Sequence, residues 1–390
     1  MSTASVFDSL IGQEQAVEVI KIALRAATSG ARNQDMTHAW LFTGPPGSGR
    51  SNLAQAFAAA LVCRAGGCGS CDSCRLAKSK NHPDIEHLEV AGTSIKIDEV
   101  RELISRTAFA PAVSDWRVII VEDCDRMTEA ASNALLKALE EPGERSVWLL
   151  CAPTQHDVLP TIRSRCRHIG LRTPTVSQIS RYLVEELSAD ETTAMLAARI
   201  SQGHIGRAKA FLTNPAFKSF RDKSFAILQE AVSESAAIRS ARALLDLAEE
   251  RATLSLSQIH EKDETDLRNA LSNGSKGMVS GASKALKELE RDQKARLNRA
   301  IRDEVDGALL DYASLFRDCL GDDEIVVNQD AMGAIRASRQ RCTPEEIEAL
   351  ARTVGQTRES LMTNAAQILL LESFFLQVAA LQNGKKHRSA

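Results

Sequence analysis

His38-Ala39-Trp40-Leu41-Phe42-Thr43 followed at once by Gly44-Pro45-Pro46-Gly47-Ser48-Gly49-Arg50-Ser51 is the stretch on which the fold turns. The first six residues form an apolar run of strand length, and the next eight open a helical segment over 51–63. A glycine-rich turn between a strand and a helix is the setting of the phosphate-binding signature G-x-x-x-x-G-K-[ST]. Its glycines let backbone N–H groups converge on phosphate oxygens, and the helix N-terminus adds partial positive charge. Ser51 keeps the hydroxyl that would hold Mg²⁺, so the cofactors this loop suits are ATP or ADP with Mg²⁺. Arg50 stands where the signature has lysine. A guanidinium is wider and planar, whereas an ammonium is a slim point charge, so weakened or absent hydrolysis is expected. The alternative is a glycine-rich turn that holds no nucleotide.

Working outward, Val118-Ile119-Ile120-Val121 and Ser146-Val147-Trp148-Leu149-Leu150-Cys151 are further apolar runs, with helical periodicity between them over 128–139. Such runs predict buried parallel strands, and the alternation predicts a parallel sheet covered by helices across residues 1–170. The run Val118–Val121 is followed by Glu122-Asp123. A phosphate-transfer site wants an aspartate for the Mg²⁺ water shell and then a longer glutamate for the attacking water. Here the order is reversed, so Mg²⁺ binding and a purely structural role both stay open. Beyond residue 171 the strand signals vanish. Helical segments at 176–187, 191–202 and 205–212 predict a small helical lid over 171–235. Residues 236–383 predict a second, all-helical domain, with Asn273–Ser283 as a flexible connection and 384–390 as a disordered basic tail.

A length of 390 residues exceeds what one core organises, which agrees with two or three domains. With 44% hydrophobic and 25% charged residues, disorder of the whole chain is excluded. Lys+Arg 48 against Asp+Glu 51 leaves a net charge of -3, which excludes a polymer-coating polycation but not a local basic patch. Aromatic residues, at 4%, are too few for rows of base-stacking rings, so any nucleic-acid contact should be ionic. The N-terminus has no secretory pattern, and the apolar stretch 365–381 is interrupted by Gln367, Glu372 and Gln377. A cytoplasmic protein with no membrane span is expected.

Nine cysteines suit a reducing compartment, and four of them lie together as Cys63-x4-Cys68-x2-Cys71-x2-Cys74 on a glycine-bearing loop. Four thiolates without an open position suit structural Zn²⁺. An iron–sulfur cluster and free thiols are the alternatives. Thr161-Ile162-Arg163-Ser164-Arg165-Cys166-Arg167 lies past the third strand. It reads either as a solvated basic face or as a source of an arginine, Arg165, that reaches a neighbouring subunit's nucleotide. The segment 284–302, with Lys284, Lys287, Arg291, Lys294, Arg296, Arg299 and Arg302, reads as a solvated helix face, with DNA contact as the minority reading.

Together, Val6-Phe7-Asp8, Ile11-Gly12-Gln13, the loop at 44–51, the four cysteines, the run Asn133-Ala134-Leu135-Leu136-Lys137-Ala138-Leu139-Glu140-Glu141-Pro142 and Ser164-Arg165-Cys166 resemble the bacterial clamp-loader AAA+ family over residues 5–210. The resemblance implies an AAA+ parallel-sheet P-loop domain with a helical lid, plus an all-helical C-terminal collar. It implies a pentameric ring with tau/gamma and delta subunits that opens the sliding clamp and places it on primed DNA. Arg165 would then be a trans arginine finger, and Arg207 a second sensor arginine. Val6, Phe7 and Ile11 to Gln13 would line an adenine pocket. The altered loop and acid pair depart from the motor subunit's pattern, and Cys151-Ala152-Pro153-Thr154 lacks the usual polar sensor unless Thr154 serves. A largely non-hydrolysing ring member is therefore expected, with an active ATPase as the alternative.

Overall fold

The computed structural model describes residues 5–28, 35–90, 94–107, 109–272, 279–361, 363 and 365–388. Residues 273–278 of the expected flexible connection lie outside the described residues. The chain divides into two compact units, with the break between residues 212 and 213.

The first unit is built on five parallel strands: β1 (Ala39–Thr43), β2 (Ile85–Leu88), β3 (Arg117–Val121), β4 (Ser146–Ala152) and β5 (Arg167–Gly170). Their order across the sheet is β2-β3-β4-β1-β5. Trp40 sits opposite Leu149, and Ile119 opposite Trp148. Side chains alternate between faces, and both faces are covered. Trp40, Phe42 and Ile120 pack with Ile20 and Ala23 of the helix Glu14–Thr28 and with Leu53 and Phe57 of Arg50–Val62. Leu41, Ile119 and Leu150 pack with Val100 and Leu103 of Ile97–Thr107 and with Leu135 and Leu139 of Glu129–Glu140. This double burial is why the strand sequences read as continuous apolar runs. Trp40 meets Phe57 edge to face at 5.3 Å and donates its indole N–H to the Thr37 carbonyl at 2.9 Å.

The lid consists of Val176–Leu187, Glu191–Ile200 and Ile205–Thr213. Thr175 starts the first of these with a reciprocal cap to Gln178, and Asp190 caps the second through the Thr193 N–H. The lid was expected to run to residue 235, but the helix Pro215–Glu230 belongs to the second unit. Its Phe220, Phe225 and Leu228 are buried in that unit's core.

The second unit is all helical. Its core joins Ala241 and Leu244 of Glu234–Ser272, Tyr312 and Phe316 of Val279–Leu320, Val354 of Pro344–Leu361, and Phe374 and Phe375 of Gln367–Arg388. The apolar stretch at 365–381 is thus largely spent inside its own unit. A buried Arg221 pairs with Asp311 at 2.7 Å and donates to Asn328 at 2.6 Å, which ties the loop ahead of Met332–Arg341 to the core. Residues 384–388, expected to be a disordered tail, continue the last helix to Arg388, since no proline or glycine after Gly384 interrupts it. Residues 389–390 lie outside the described residues.

Candidate functional site

The helix Arg50–Val62 carries a polar loop at each end. At its N-terminus, β1 runs into Gly44, whose N–H donates to the Pro153 carbonyl at 3.0 Å. A Cβ on Gly44 would lie 2.5 Å from Ser48 Oγ and 2.9 Å from the Leu171 carbonyl, so only glycine fits. Gly47 has φ +84°, and a Cβ there would fall 2.7 Å from His204 of the lid. Ser48 is buried and its hydroxyl has no hydrogen-bond partner. Gln13 clips the loop in place by donating to the Ser48 carbonyl at 3.1 Å and to the Arg172 carbonyl at 2.7 Å.

The loop's charged groups are satisfied from within. Arg50 donates to the Gly44 carbonyl and lies 3.8 Å from Asp123. The Ser51 hydroxyl donates to Glu122 at 3.0 Å. Lys80, which the sequence reading had not singled out, pairs with Glu89 and lies 3.5 Å from Glu122. Burial opposes the Lys80 charge, but the two glutamates outweigh it and raise its pKa. Next to this pair, both ring nitrogens of His87 are buried without a partner. Burial, then the nearby Lys80 charge, lower its pKa to about 4.

The structure brings loop and acid pair together. Thr154 is committed elsewhere: its hydroxyl donates to Asp157 at 2.8 Å and accepts from the His156 N–H at 3.1 Å. Arg207 lies in the lid helix that starts beside His204, and its N–H donates to the His204 ring at 3.3 Å. Arg165 is exposed on the stretch after Pro160–Arg163, where it donates to the Thr161 carbonyl at 2.8 Å and pairs with Glu140. The pair links two of the quoted motifs, and Glu140 is a further residue that the sequence reading had not singled out. Cys166 beside it is half-buried, and desolvation pushes its thiol up to about 12 and leaves it inert.

At the C-terminal end of the same helix, Cys63 is the cap and leads into the cysteine loop. Gly66, Gly67 and Gly69 take φ of +67°, +101° and +72°, which turn the loop back on itself. All four Sγ atoms lie within 4.8 Å of one another and could hold a metal ion. Cys63 Sγ is 3.8 Å from Cys68 Sγ and 3.6 Å from Cys71 Sγ. A tetrahedron with metal–sulfur arms of about 2.3 Å has edges of about 3.8 Å, so the spacing fits a metal better than a disulfide. N–H groups of Ser70 and Cys71 lower the Cys68 pKa to about 6, which supplies a thiolate at neutral pH. The N-terminal segment is held to this loop, with the Val6 N–H donating to the Gly67 carbonyl at 3.1 Å.

A P-loop after β1, acids after β3, the strand order β2-β3-β4-β1-β5 and a helical lid together define an AAA+ P-loop domain. A family model described as DNA polymerase III, delta subunit, matches residues 20–175. Over that region the chain is similar to the delta-prime and gamma/tau subunits of DNA polymerase III. It is 36% identical over 172 residues to the delta-prime subunit of Pseudomonas aeruginosa, covering 43% of this chain and 52% of that protein. It is also 36% identical over 173 residues to the gamma/tau subunit of Mycobacterium tuberculosis, covering 43% of this chain and 28% of that protein. The chain thus spans about half or less of the length of these curated relatives. A DNA polymerase III gamma subunit-related protein of Thermotoga maritima aligns over 93% of this chain and 99% of its own, at a TM-score of 0.43 and 17% identity. Among the described residues no helix is long and apolar enough to cross a membrane.

Proposed function

We propose that this chain is the delta-prime subunit of the DNA polymerase III clamp loader, a ring member that hydrolyses little ATP itself and donates Arg165 to the nucleotide of an adjacent tau/gamma subunit. The observation that carries this reading is the internal closure of the phosphate loop. Arg50 spends its guanidinium on Gly44 and Asp123, Ser51 spends its hydroxyl on Glu122, and Lys80 neutralises the glutamate. A loop of this kind has no free ammonium to cradle a terminal phosphate, and the would-be sensor Thr154 is held in its own turn. Were nucleotide bound, Gly44 to Ser51 would hold its phosphates and Glu122 and Asp123 its Mg²⁺, with Arg207 as the second sensor from the lid. The nucleotide would supply assembly energy rather than turnover here. The four cysteines hold a structural zinc. The partners are tau/gamma, delta, the sliding clamp and primed DNA in the cytoplasm.

Exposure of Arg165 suits donation, since an arginine delivered in trans is worth about 10³–10⁵ in rate. Arg165→Ala is expected to cut the clamp- and DNA-stimulated ATP turnover of the reconstituted ring by at least about 10²-fold while the ring still assembles. An unchanged rate removes Arg165 from the mechanism. The competing reading, an active motor subunit, is favoured by the equal 36% identity to gamma/tau proteins. Vigorous ATP turnover by the chain alone would establish it instead.

A further inference from the structure

Within the second unit, the helices Glu234–Ser272 and Val279–Leu320 outrun the core that they share. Among the described residues, Ala252 is the last buried residue of the first, and Ile301 the first buried residue of the second. The portions beyond form an antiparallel two-helix arm, about 30 Å long at 1.5 Å per residue. Its register is set by Arg251–Glu304 at 3.1 Å, Gln293 to the His260 carbonyl at 3.3 Å, and Arg296–Asp263 at 2.8 Å.

The arm's two helices differ in charge. Residues 284–302 hold seven Lys and Arg against three Asp and Glu, whereas 253–272 hold two against four. Within the basic helix the cations are of two kinds. Arg296 is already paired across the arm with Asp263. Lys287, Arg291 and Lys294 are exposed, and none makes an ion pair with another described residue. Their spacing of i, i+4, i+7 stacks them on one face, which keeps a local excess of positive charge even with Glu290 on its flank. Leu289, Gln293 and Leu297 repeat on the opposite side and are half-buried.

We propose that this arm binds the phosphate backbone of duplex DNA through Lys287, Arg291 and Lys294, without reading sequence. The cationic face carries no large apolar or aromatic residue, so a protein partner would find no anchor to bury there, whereas a phosphate backbone needs only cations. The arm contains no Phe, Trp or Tyr between residues 253 and 300, which leaves nothing for bases to stack on. This surface acts whether or not the phosphate loop holds nucleotide.

The test is a salt titration of the full chain against a fluorescently labelled short duplex, read by anisotropy. The triple variant Lys287→Ala, Arg291→Ala, Lys294→Ala should weaken binding by at least about tenfold at low salt. It should also reduce the slope of log K against log salt by about 2.7, or 0.9 per lost phosphate contact. Arg296→Ala, which removes a cation already paired, should change little. Glu290→Lys, which adds a cation on the flank, should tighten binding and steepen the slope by about 0.9, a gain that misfolding could not produce. Unchanged affinity and slope in the triple variant would overturn the proposal. So would equal displacement of the duplex by polyglutamate, which would assign the face to an acidic protein.

Discussion

The two ends of the helix Arg50–Val62 solve the same problem in opposite ways. Each is a glycine-bearing loop that gathers polar groups in a small space. At the N-terminal end the gathered groups include both signs, Arg50 and Lys80 against Glu122, Asp123 and Glu89, and they pair with one another. At the C-terminal end the gathered groups are four thiols with Sγ atoms inside 4.8 Å. A loop that carries its own counter-ions can fold without a ligand, while one that gathers only potential anions needs a cation from outside. The difference teaches that sequence likeness to a ligand loop is not enough: the partners supplied by the rest of the fold decide whether it stays open.

The comparison breaks most readily at the cysteine end. Chelation, or Cys71→Ser, is expected to remove about one zinc per chain and to lower the melting midpoint by about 10 °C or more, because metal binding there is folding free energy. Metal analysis alongside calorimetry checks it, and a metal-free chain that melts unchanged would show that both ends are self-sufficient. At the other end, Arg50→Lys releases the Gly44 carbonyl and supplies a slimmer charge, so ATP affinity by titration calorimetry should rise about tenfold. If affinity stays flat, the reversed acid pair and Lys80 close the loop without Arg50.

A pH experiment sharpens the picture of the acid pair. The His87 pKa is lowered from 6.5 to about 4, so the folded state binds fewer protons than the unfolded one. Its contribution is complete above pH 6.5 and is lost as pH falls from there towards 4. His87→Gln should therefore flatten the fall in urea stability between pH 7 and 5 relative to the unaltered chain. The smallest effect is expected from Ser51→Ala, about 0.5–1.5 kcal/mol by denaturant unfolding, since Glu122 keeps Lys80 when the hydroxyl is gone.

Legibility in the sequence followed burial. The strands read in advance, β1, β3 and β4, are the three central ones, covered on both faces and therefore apolar between their ends. The edge strands β2, Ile-Glu-His-Leu, and β5, Arg-His-Ile-Gly, are short and polar, and their residues were not recognisable as strands. Helix bounds such as Val176–Leu187 were readable because Thr175 and Gln178 cap locally. The helix Pro215–Glu230 was not assigned to the correct unit, since its phenylalanines say that it is buried but not against what. In the site, the loop, the acid pair and the cysteines were legible as local patterns. Lys80, Glu89, His87 and Glu140 were not, because each matters only through a residue far away in the chain.

Local chemistry alone thus determined the glycine turn, the reversed acids, the four thiols and the apolar strands, because spacing along the backbone dictates those features before any packing occurs. Only the tertiary structure decided that Arg50 faces Asp123, that Arg165 rests on Glu140, and that a helical arm leaves Lys287, Arg291 and Lys294 in solvent. Coulomb attraction falls off with distance through space and takes no account of distance along the chain, so the choice of counter-ion waits for the fold.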